Sequence, residues 1–482
     1  MKLPRAISIT VLLGAILIAI VGSVTVLQSP VAPPPATAEQ QRASFRRAID
    51  AIPPRQATTD DFLALTMSEG ASEFAAIRSS WQPSYLPMMI ETMRLRGWDR
   101  GDVVSDAIVE LLQEQTGQDF GRDFGAWWRY VWSSEPVVTD DYASFKSAIY
   151  GRLDGAFRGY FDPERTSRIR LDEVVWGGVG QDGIPPLRQP TMVDAKRAAY
   201  LDDSNVVFGL EINGDARAYP KRILAWHEMF VDKVGGVDVA GVYCTLCGTV
   251  ILYETTVDGV AHALGTSGFL YRSNKLMYDK ATQSLWNTIW GEPVIGPLAD
   301  AEPPIRLPRR AVVTTTWGEW KRRHPGTTVL SLETGYERNY DEGEAYRDYF
   351  ATDELMFTVP DLDTRLPNKH EILGIVLPDG SDPAAFDTEF LRTNPIHHDR
   401  MGDARIVILT DRSGANRAYE IGELTVERYD GDATAQDAAG RTWTVTEDGL
   451  RAADGAVLDR VAAQRAFWFG WRAAFEQTRL VR

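Results

Sequence analysis

The pattern of hydrophobic and polar residues begins with a long apolar stretch. Residues 6–28 carry no charged side chain, consist largely of Ile, Leu, Val and Ala, and follow Lys2 and Arg5. As a helix this stretch would be about 33 Å long, which is enough to cross the hydrocarbon core of a bilayer. We therefore expect residues 1–28 to form a single membrane anchor, with the rest of the chain outside the cytoplasm, in the periplasm.

A cleaved signal peptide is the alternative for the same segment. Ala36, Thr37 and Ala38 resemble a cleavage site. However, four prolines separate this site from the apolar stretch, and that stretch is longer than the apolar region of a usual signal peptide. The lengths favour the uncleaved anchor.

The next stretch predicts a linker followed by helices. Residues 29–58 are proline-rich at their start and then mixed polar, which is typical of a linker. Residues 59–165 predict a small all-helical module. Asp102 precedes apolar positions that repeat with the helical period, and Gly117 follows them as a stop signal. Asp123 predicts the start of a tryptophan-rich helix. We interpret this module as a packing or docking unit.

From residue 166 onward, short alternating segments replace the helical period. Asn213-Gly214 between two such segments is the strongest short signal of a β-hairpin. Further strands are predicted at residues 237–243, 249–254, 276–278, 284–286, 372–376, 405–409, 424–429 and 442–445. Aromatic residues on one face predict a helix near the C-terminus.

The whole pattern predicts an α+β protein. Its expected parts are an N-terminal membrane helix, a small all-helical module, and a mainly antiparallel β domain over residues 166–482 with a C-terminal helix. Helical crossovers are too few for a doubly wound parallel sheet. The formal net charge of -16 argues against nucleic acid as a partner, because phosphate binding needs a basic surface.

The candidate chemistry lies in the two cysteines, Cys244 and Cys247, which stand three positions apart. In thioredoxin-like motifs such a pair opens a helix, whose dipole lowers the thiol pKa. Here Gly248 and the β-branched run after it predict a strand, so the pair should lie at a strand–turn–strand tip. This shape resembles a metal-binding knuckle more than a thioredoxin active site.

Histidine is the residue type most expected to assist the pair. His227, seventeen positions before Cys244 and next to Glu228, is the first candidate for a general base or a metal ligand. His397 and His398 are the second candidates, and only one of the two can face a given site on a strand. A tetrahedral zinc site would need about two ligands beyond the sulfurs.

Several segments after residue 166 resemble a known family, the exported bacterial and archaeal domain of unknown function DUF3179. The matching segments are IRLDEV at 169–174, DGIPPL at 182–187, ARAYP at 216–220, WHE at 226–228, YCTLCGT at 243–249, GTSG at 265–268, YRSN at 271–274, MYD at 277–279 and SLW at 284–286. The resemblance covers residues 166–480. Thr245 stands where the family often has proline.

The family has no established activity, so the resemblance names a domain and not a reaction. Members of the family look like selenoproteins at a cysteine position, which implies redox or soft-metal chemistry at Cys244 and Cys247. Our leading hypothesis is thiol–disulfide chemistry with a redox partner protein, in which one cysteine attacks, the other resolves, and His227 acts as base.

Two other interpretations remain open at this point. One is a protein that binds copper or zinc through Cys244, Cys247 and His227. The other is a non-catalytic envelope interaction module in which the pair forms a structural disulfide, although so short a ring would stabilise little. Six residues are expected to line a pocket near the pair: Tyr243, Ser267, Tyr271, Asn274, Tyr278 and Trp286. The competing interpretation is that these residues form a packed hairpin core.

Overall fold

The computed structural model describes residues 37–67, 70–97, 101–134 and 140–482. The predicted membrane anchor, residues 1–28, and the first part of the predicted linker lie outside these residues. Within the described part of the chain, no helix combines the length and the apolar character that a membrane crossing requires.

Helices make up the first part of the described chain. They are α1 (Ala38–Asp50), α2 (Thr59–Leu65), α3 (Ala71–Ser79), α4 (Tyr85–Gly97), α5 (Val103–Thr116), α6 (Phe124–Trp132) and α7 (Asp140–Tyr150). The capping predictions are confirmed. The Asp102 side chain accepts a hydrogen bond from the Ser105 amide at the start of α5, and Gly117 ends that helix in the left-handed conformation. Asp123 caps α6 in the same way as Asp102 caps α5.

Residues 29–58 were predicted to form a linker, but helix α1 lies within this range. Thr37 and Gln40 form a capping box at its start. Phe45 and Ile49, one turn apart, are buried against the other helices. Most positions around these two residues are polar, so the sequence pattern predicted a linker. The narrow apolar face formed by Phe45 and Ile49 is enough to hold the helix in place.

Short strands follow, with short helices between them. In chain order the strands are β1 (Val174–Trp176), β2 (Leu187–Arg188), β3 (Met192–Asp194), β4 (Val206–Ile212), β5 (Asp215–Pro220), β6 (Met229–Val234), β7 (Val237–Cys244), β8 (Thr249–Glu254), β9 (Thr256–Val257), β10 (Val260–Ala261), β11 (Leu264–Tyr271), β12 (Asn274–Asp279), β13 (Leu285–Asn287), β14 (Glu292–Ile295), β15 (Arg309–Arg310), β16 (Val313–Thr316), β17 (Thr328–Leu330), β18 (Glu371–Ile375), β19 (Ala384–Asp387), β20 (Ile396–Met401), β21 (Ala404–Thr410), β22 (Asn416–Glu420), β23 (Val426–Tyr429), β24 (Thr434–Asp437), β25 (Thr442–Val445), β26 (Gly449–Ala452), β27 (Val457–Val461), β28 (Ala463–Phe467) and β29 (Arg479–Val481). The helices among them are α8 (Lys221–His227), α9 (Trp317–Arg323), α10 (Arg347–Phe350), α11 (Thr388–Thr393) and α12 (Trp468–Ala474).

The strands form mainly antiparallel sheets, as predicted. The sheet that carries the cysteines has the order β15-β8-β7-β6-β2, and two further five-stranded sheets have the orders β1-β11-β12-β13-β14 and β16-β4-β5-β17-β3. A four-stranded sheet, β28-β18-β19-β29, and an eight-stranded sheet, β20-β21-β22-β27-β26-β25-β24-β23, follow. The parallel pairs are β2 with β6, β5 with β17 and β19 with β29.

The hairpin predicted at Asn213-Gly214 is confirmed, and the C-terminal helix is confirmed in part. Asn213 and Gly214 both have positive φ and join β4 to β5. Helix α12 buries Trp468 and Trp471, but it is only seven residues long and the strand β29 follows it. The chain therefore returns to the sheet β28-β18-β19-β29 after the helix.

The helices and the sheet β1-β11-β12-β13-β14 share one hydrophobic core. Tyr150 and Phe157 pack their rings edge-on against Phe269 of β11, with centroids 5.1 and 4.8 Å apart. Lys146 of α7 donates to the Val174 carbonyl of β1 at 2.7 Å. The secondary structure changes from helices to strands between Tyr150 and Val174, and the core continues across that change.

Candidate functional site

The two cysteines occupy the tip of the β7–β8 hairpin. Cys244 is the last residue of β7 and pairs with Thr249, the first residue of β8, while Cys247 lies in the turn between them. The predicted strand–turn–strand geometry is confirmed. Both thiols are free, and the exposed fractions are 2% for Cys244 and 0% for Cys247.

Glycine is required at the end of this turn for two reasons. Gly248 has φ +60°, a conformation that residues with a side chain rarely adopt. A Cβ atom there would also lie 2.9 Å from the ring of Phe467. The Phe467 amide in turn donates to the Cys247 carbonyl at 2.7 Å, which fixes the turn against the end of β28.

The Cys247 thiol is held by the start of β12. Its sulfur lies 2.9 Å from Asn274 Oδ1 and 3.4 Å from the Ser273 carbonyl oxygen. The side-chain nitrogen Nδ2 of Asn274 donates to the carbonyls of Arg272 and Gly470, each at 3.2 Å. The side-chain oxygen Oδ1 is therefore turned toward the sulfur. A Cβ atom on Gly470 would lie 2.9 Å from the Cys247 Cβ, so α12 packs directly onto this cysteine.

A buried ion pair lies beside the cysteines. Lys275 Nζ is 2.6 Å from Glu228 Oε2, and the two side chains are 6% and 9% exposed. The other carboxylate oxygen accepts hydrogen bonds from Thr245 Oγ1 at 3.2 Å and from the Tyr346 hydroxyl at 3.1 Å. Glu228 directly follows α8 and has φ +55°. Because of this left-handed conformation, its side chain does not continue the face of the helix. The site therefore holds a carboxylate and an ammonium group together near the sulfurs.

The two thiols differ in acidity. Burial raises the pKa of both, and so does the Glu228 charge. At Cys244, hydrogen bonds from the Cys247 side chain and from the Lys275 and Cys247 amides outweigh burial, so its pKa lies below the ordinary value for a thiol. At Cys247, burial, the hydrogen bond with Cys244 and the charge of Cys244 raise the pKa well above that value. Cys244 is therefore the thiol that ionises first.

Aromatic residues from the segment 331–370 cover the pair. The Tyr349 hydroxyl donates to the Leu246 carbonyl at 2.9 Å, and Tyr346 and Phe350 pack on the same apolar cluster as the sulfurs. Apart from the single turn of α10, this segment has no helix or strand. We refer to Tyr346, Tyr349 and Phe350 as the cover.

The structure does not support His227 as a base or a metal ligand. Its Nδ1 lies 2.9 Å from the Pro185 carbonyl oxygen and its Nε2 lies 2.6 Å from the Tyr340 hydroxyl, so both nitrogens are engaged away from the sulfurs. Burial lowers the pKa of His227 and keeps the ring neutral. The left-handed turn that follows directs Glu228 toward the cysteines and leaves His227 on the other side.

The second histidine candidates also lie elsewhere. His398 Nε2 accepts a hydrogen bond from the Val426 amide within the eight-stranded sheet, and His397 packs edge-on against Phe390. Across the residues that the structure describes, no group of three or more His, Cys, Asp or Glu side chains is arranged to hold a metal ion.

The residues predicted to line a pocket divide into two groups. Asn274 contacts Cys247 directly, and Tyr243 precedes Cys244 in β7 with its ring against Phe208. The others pack in the interior, as in the competing interpretation of a hairpin core: Ser267 donates to the Leu276 carbonyl, Tyr271 and Tyr278 belong to the core shared with the helices, and Trp286 packs between β12 and the neighbouring sheet.

Sequence reasoning missed Glu228, Lys275, Tyr346 and Gly470 as parts of the site. Glu228 and Lys275 each stand next to a residue that was singled out, His227 and Asn274, but 47 positions separate them in the chain. Tyr346 and Gly470 come from still more distant segments, and no local pattern marks them.

The sequence places the chain in a family. A family model described as "Protein of unknown function (DUF3179)" matches residues 181–478, well over half of the chain. The chain belongs to this family, as the segment resemblances predicted. No curated protein and no solved structure matched it.

Proposed function

We propose that this protein carries out thiol–disulfide redox chemistry at Cys244 and Cys247, with a disulfide-bearing protein as substrate. The observation that carries the proposal is the geometry of the pair: two free thiols lie together at the hairpin tip, and Cys247 donates to Asn274 Oδ1 at 2.9 Å, which favours its protonated form. The more acidic Cys244 suits attack, because the thiolate is the nucleophile in disulfide exchange. The less acidic Cys247 suits the second, resolving step.

The reaction proceeds in two exchanges. The Cys244 thiolate attacks one sulfur of the substrate disulfide, forms a mixed disulfide and releases the other substrate sulfur as a thiolate. Cys247 then gives its proton to the first released substrate thiolate and attacks the Cys244 sulfur, which releases the second substrate sulfur as a thiolate. Two electrons pass from the cysteine pair to the substrate, and the pair ends as a disulfide. A dithiol reductant returns it to the starting state.

The zinc interpretation and the structural disulfide have less support at this site. A zinc site would need further ligands near the two sulfurs, and the described residues contain no larger group of metal-binding side chains. A purely structural pair would need neither the Glu228–Lys275 ion pair nor the Asn274 contact beside it. Ring closure over so few residues would also add little stability.

Substrate access requires the cover to move. The sulfurs are buried, and Tyr349 and Tyr346 are held over them by two hydrogen bonds. The covering segment has few regular backbone hydrogen bonds, which favours local opening over opening of the sheets. We infer that the substrate displaces the cover rather than reaching the pair through a preformed channel.

The proposed acidity of Cys244 predicts a pH profile. We expect Cys244 to be alkylated by iodoacetamide at a lower pH than Cys247, because only the thiolate reacts. The Glu228→Gln substitution should shift the Cys244 profile to lower pH, because the Glu228 charge raises the pKa of that thiol. Mass spectrometry of the labelled peptides across a pH series measures both effects.

Glu254→Gln is the matched control, because Glu254 ends the same hairpin at the opposite end from the cysteines. It should leave the Cys244 profile unchanged. Equal profiles for Cys244 and Cys247, or a Glu228→Gln profile that moves to higher pH, would contradict the proposed roles of the two thiols.

We also propose that the protein is anchored in the membrane by residues 1–28, with the redox site on the extracytoplasmic side. The support is the uncharged apolar stretch at 6–28 after Lys2 and Arg5. In that compartment, disulfides form and persist, so substrates are present. A reporter active only in the cytoplasm, fused after Arg482, should be silent, and its activity would reject this topology.

A further inference from the structure

The segment that covers the cysteines exposes a large share of the protein's apolar surface. It consists of residues 331–370, which join β17 to β18, and we call it the covering segment. Half of the eight large hydrophobic side chains that are exposed in the described part of the chain lie here, each at least 40% exposed: Leu332, Tyr336, Met356 and Leu362. Single exposed apolar residues are common on protein surfaces, but their concentration in one short segment indicates an interaction surface.

Two of these side chains adjoin the candidate site. The ring centroid of Tyr336 lies 5.2 Å from that of His227, which directly precedes the carboxylate of the buried ion pair. Met356 is followed by Phe357, which packs on the apolar cluster that contains both cysteines. A molecule bound to the outside of the covering segment is therefore held beside the residues that must move to uncover the sulfurs.

The covering segment is also long for a connection between two strands. Its 40 residues contain one turn of helix, α10, and no strand. Most connections in compact domains have about 4–6 residues, and connections as long as this one usually carry a function of their own. Joining β17 to β18 does not require this length.

The charge of the covering segment restricts what can bind to its apolar side chains. It contains ten Asp and Glu residues against four Lys and Arg residues, a net charge of -6 out of -16 for the whole chain. Glu342, Asp348 and Glu354 are exposed and form no ion pair with another described residue. Asp348 lies in α10, between Tyr346 and Tyr349 of the cover. Such a surface attracts basic partners and repels acidic ones.

We propose that the outer face of the covering segment is the docking surface for the protein substrate, and that it selects disulfides flanked by lysine or arginine together with apolar residues. This inference rests on the proposed redox function and names the class of its substrate. The occupant is a polypeptide rather than a small disulfide, because the exposed apolar residues extend from Leu332 to Leu362 and protein interfaces engage about 20–30 residues on each side.

Binding of two dye-labelled peptides to the full-length protein in non-ionic detergent tests the docking surface. The peptides share their apolar residues, carry serine in place of both cysteines so that no exchange can occur, and differ in three lysines against three glutamates. Fluorescence anisotropy at about 50 mM salt should show saturable binding of the lysine peptide, at least about tenfold tighter than the glutamate peptide. The difference should shrink at about 0.5 M salt. Equal binding of the two peptides, or no saturable binding of the lysine peptide, would overturn the proposal.

Neutralising the exposed carboxylates of the covering segment should weaken this binding. The triple variant Glu342→Gln, Asp348→Asn, Glu354→Gln should bind the lysine peptide about tenfold less tightly or worse. Its thermal unfolding midpoint should stay close to the native value, because exposed carboxylates contribute little to stability. If the native protein sediments as a dimer that this variant abolishes, the face belongs to a second copy of the chain and the proposal is wrong.

The matched control makes the same change of net charge in the eight-stranded sheet. It combines Asp403→Asn, Glu423→Gln and Glu427→Gln, all of them exposed residues, and should bind the lysine peptide as the native protein does. Equal losses in the two triple variants would assign the attraction to the charge of the whole protein and reject a docking surface on the covering segment.

Reaction rates separate this inference from the redox proposal. The reduced protein is mixed with hydroxyethyl disulfide, a small neutral probe, and with disulfide forms of the two peptides. The lysine peptide should be reduced at least about tenfold faster than the glutamate peptide. If hydroxyethyl disulfide reacts but the two peptides react alike, the docking surface is wrong and the redox function stands. If the serine peptides bind as predicted but no disulfide reacts, the redox proposal is wrong and the surface docks a basic polypeptide for another purpose.

Discussion

Cys244→Ser should lower the rate of reaction with oxidised glutathione by about a thousandfold or more, because a serine hydroxyl cannot replace the attacking thiolate. Cys247→Ser should behave differently. It keeps the nucleophile but lacks the resolving thiol, so the mixed disulfide between Cys244 and glutathione should accumulate. Mass spectrometry of the intact protein distinguishes the two results, since only the second variant gains the mass of one glutathione.

The native protein is the control for this pair of variants. It should pass through the mixed disulfide and end with the Cys244–Cys247 disulfide and no bound glutathione. If Cys247→Ser fails to form the adduct while Cys244→Ser forms it readily, the roles of the two cysteines are reversed. If both variants react alike, the difference in acidity has no chemical consequence.

Lys275→Met should have the largest effect on stability. It leaves the Glu228 carboxylate buried without its partner, which costs about 3–5 kcal/mol in the free energy of unfolding. Urea unfolding followed by tryptophan fluorescence measures this change. Adding Glu228→Gln to the same chain should restore part of the loss, because the buried charge is then removed.

Lys233→Met is the matched control. Lys233 pairs with Asp238 at 2.9 Å, but both side chains are more than half exposed. An exposed pair contributes about 0–1 kcal/mol, so this variant should unfold close to the native protein. A similar, small loss for Lys275→Met would show that the Glu228 carboxylate reaches solvent and cannot act as a fixed charge beside the thiols.

The local parts of the fold could be predicted from the sequence. Asp102, Asp123 and the Asn213-Gly214 turn each act through backbone atoms within a few residues, so their signals are complete in short segments. Helix α1 was missed because only Phe45 and Ile49 anchor it, and two apolar positions among polar residues do not stand out as a period.

The candidate site was predictable only as far as the hairpin tip. The strand-forming run after Gly248 placed Cys244 and Cys247 correctly. Proximity in the chain then favoured His227 as the residue near the sulfurs. The left-handed turn at Glu228 instead directs Glu228 toward the sulfurs and His227 away from them. Lys275 and the cover come from distant strands and loops, and their positions depend on the tertiary fold.

The central claim is that Cys244 and Cys247 interconvert between dithiol and disulfide in the folded protein. Equilibration with glutathione buffers of graded potential, followed by acid quenching, alkylation and intact mass measurement, tests it most directly. We predict a single reversible transition in which both alkylation sites disappear together while the circular dichroism spectrum is unchanged. Two thiols that stay reduced across the whole range, or that oxidise only when the protein unfolds, would contradict the claim.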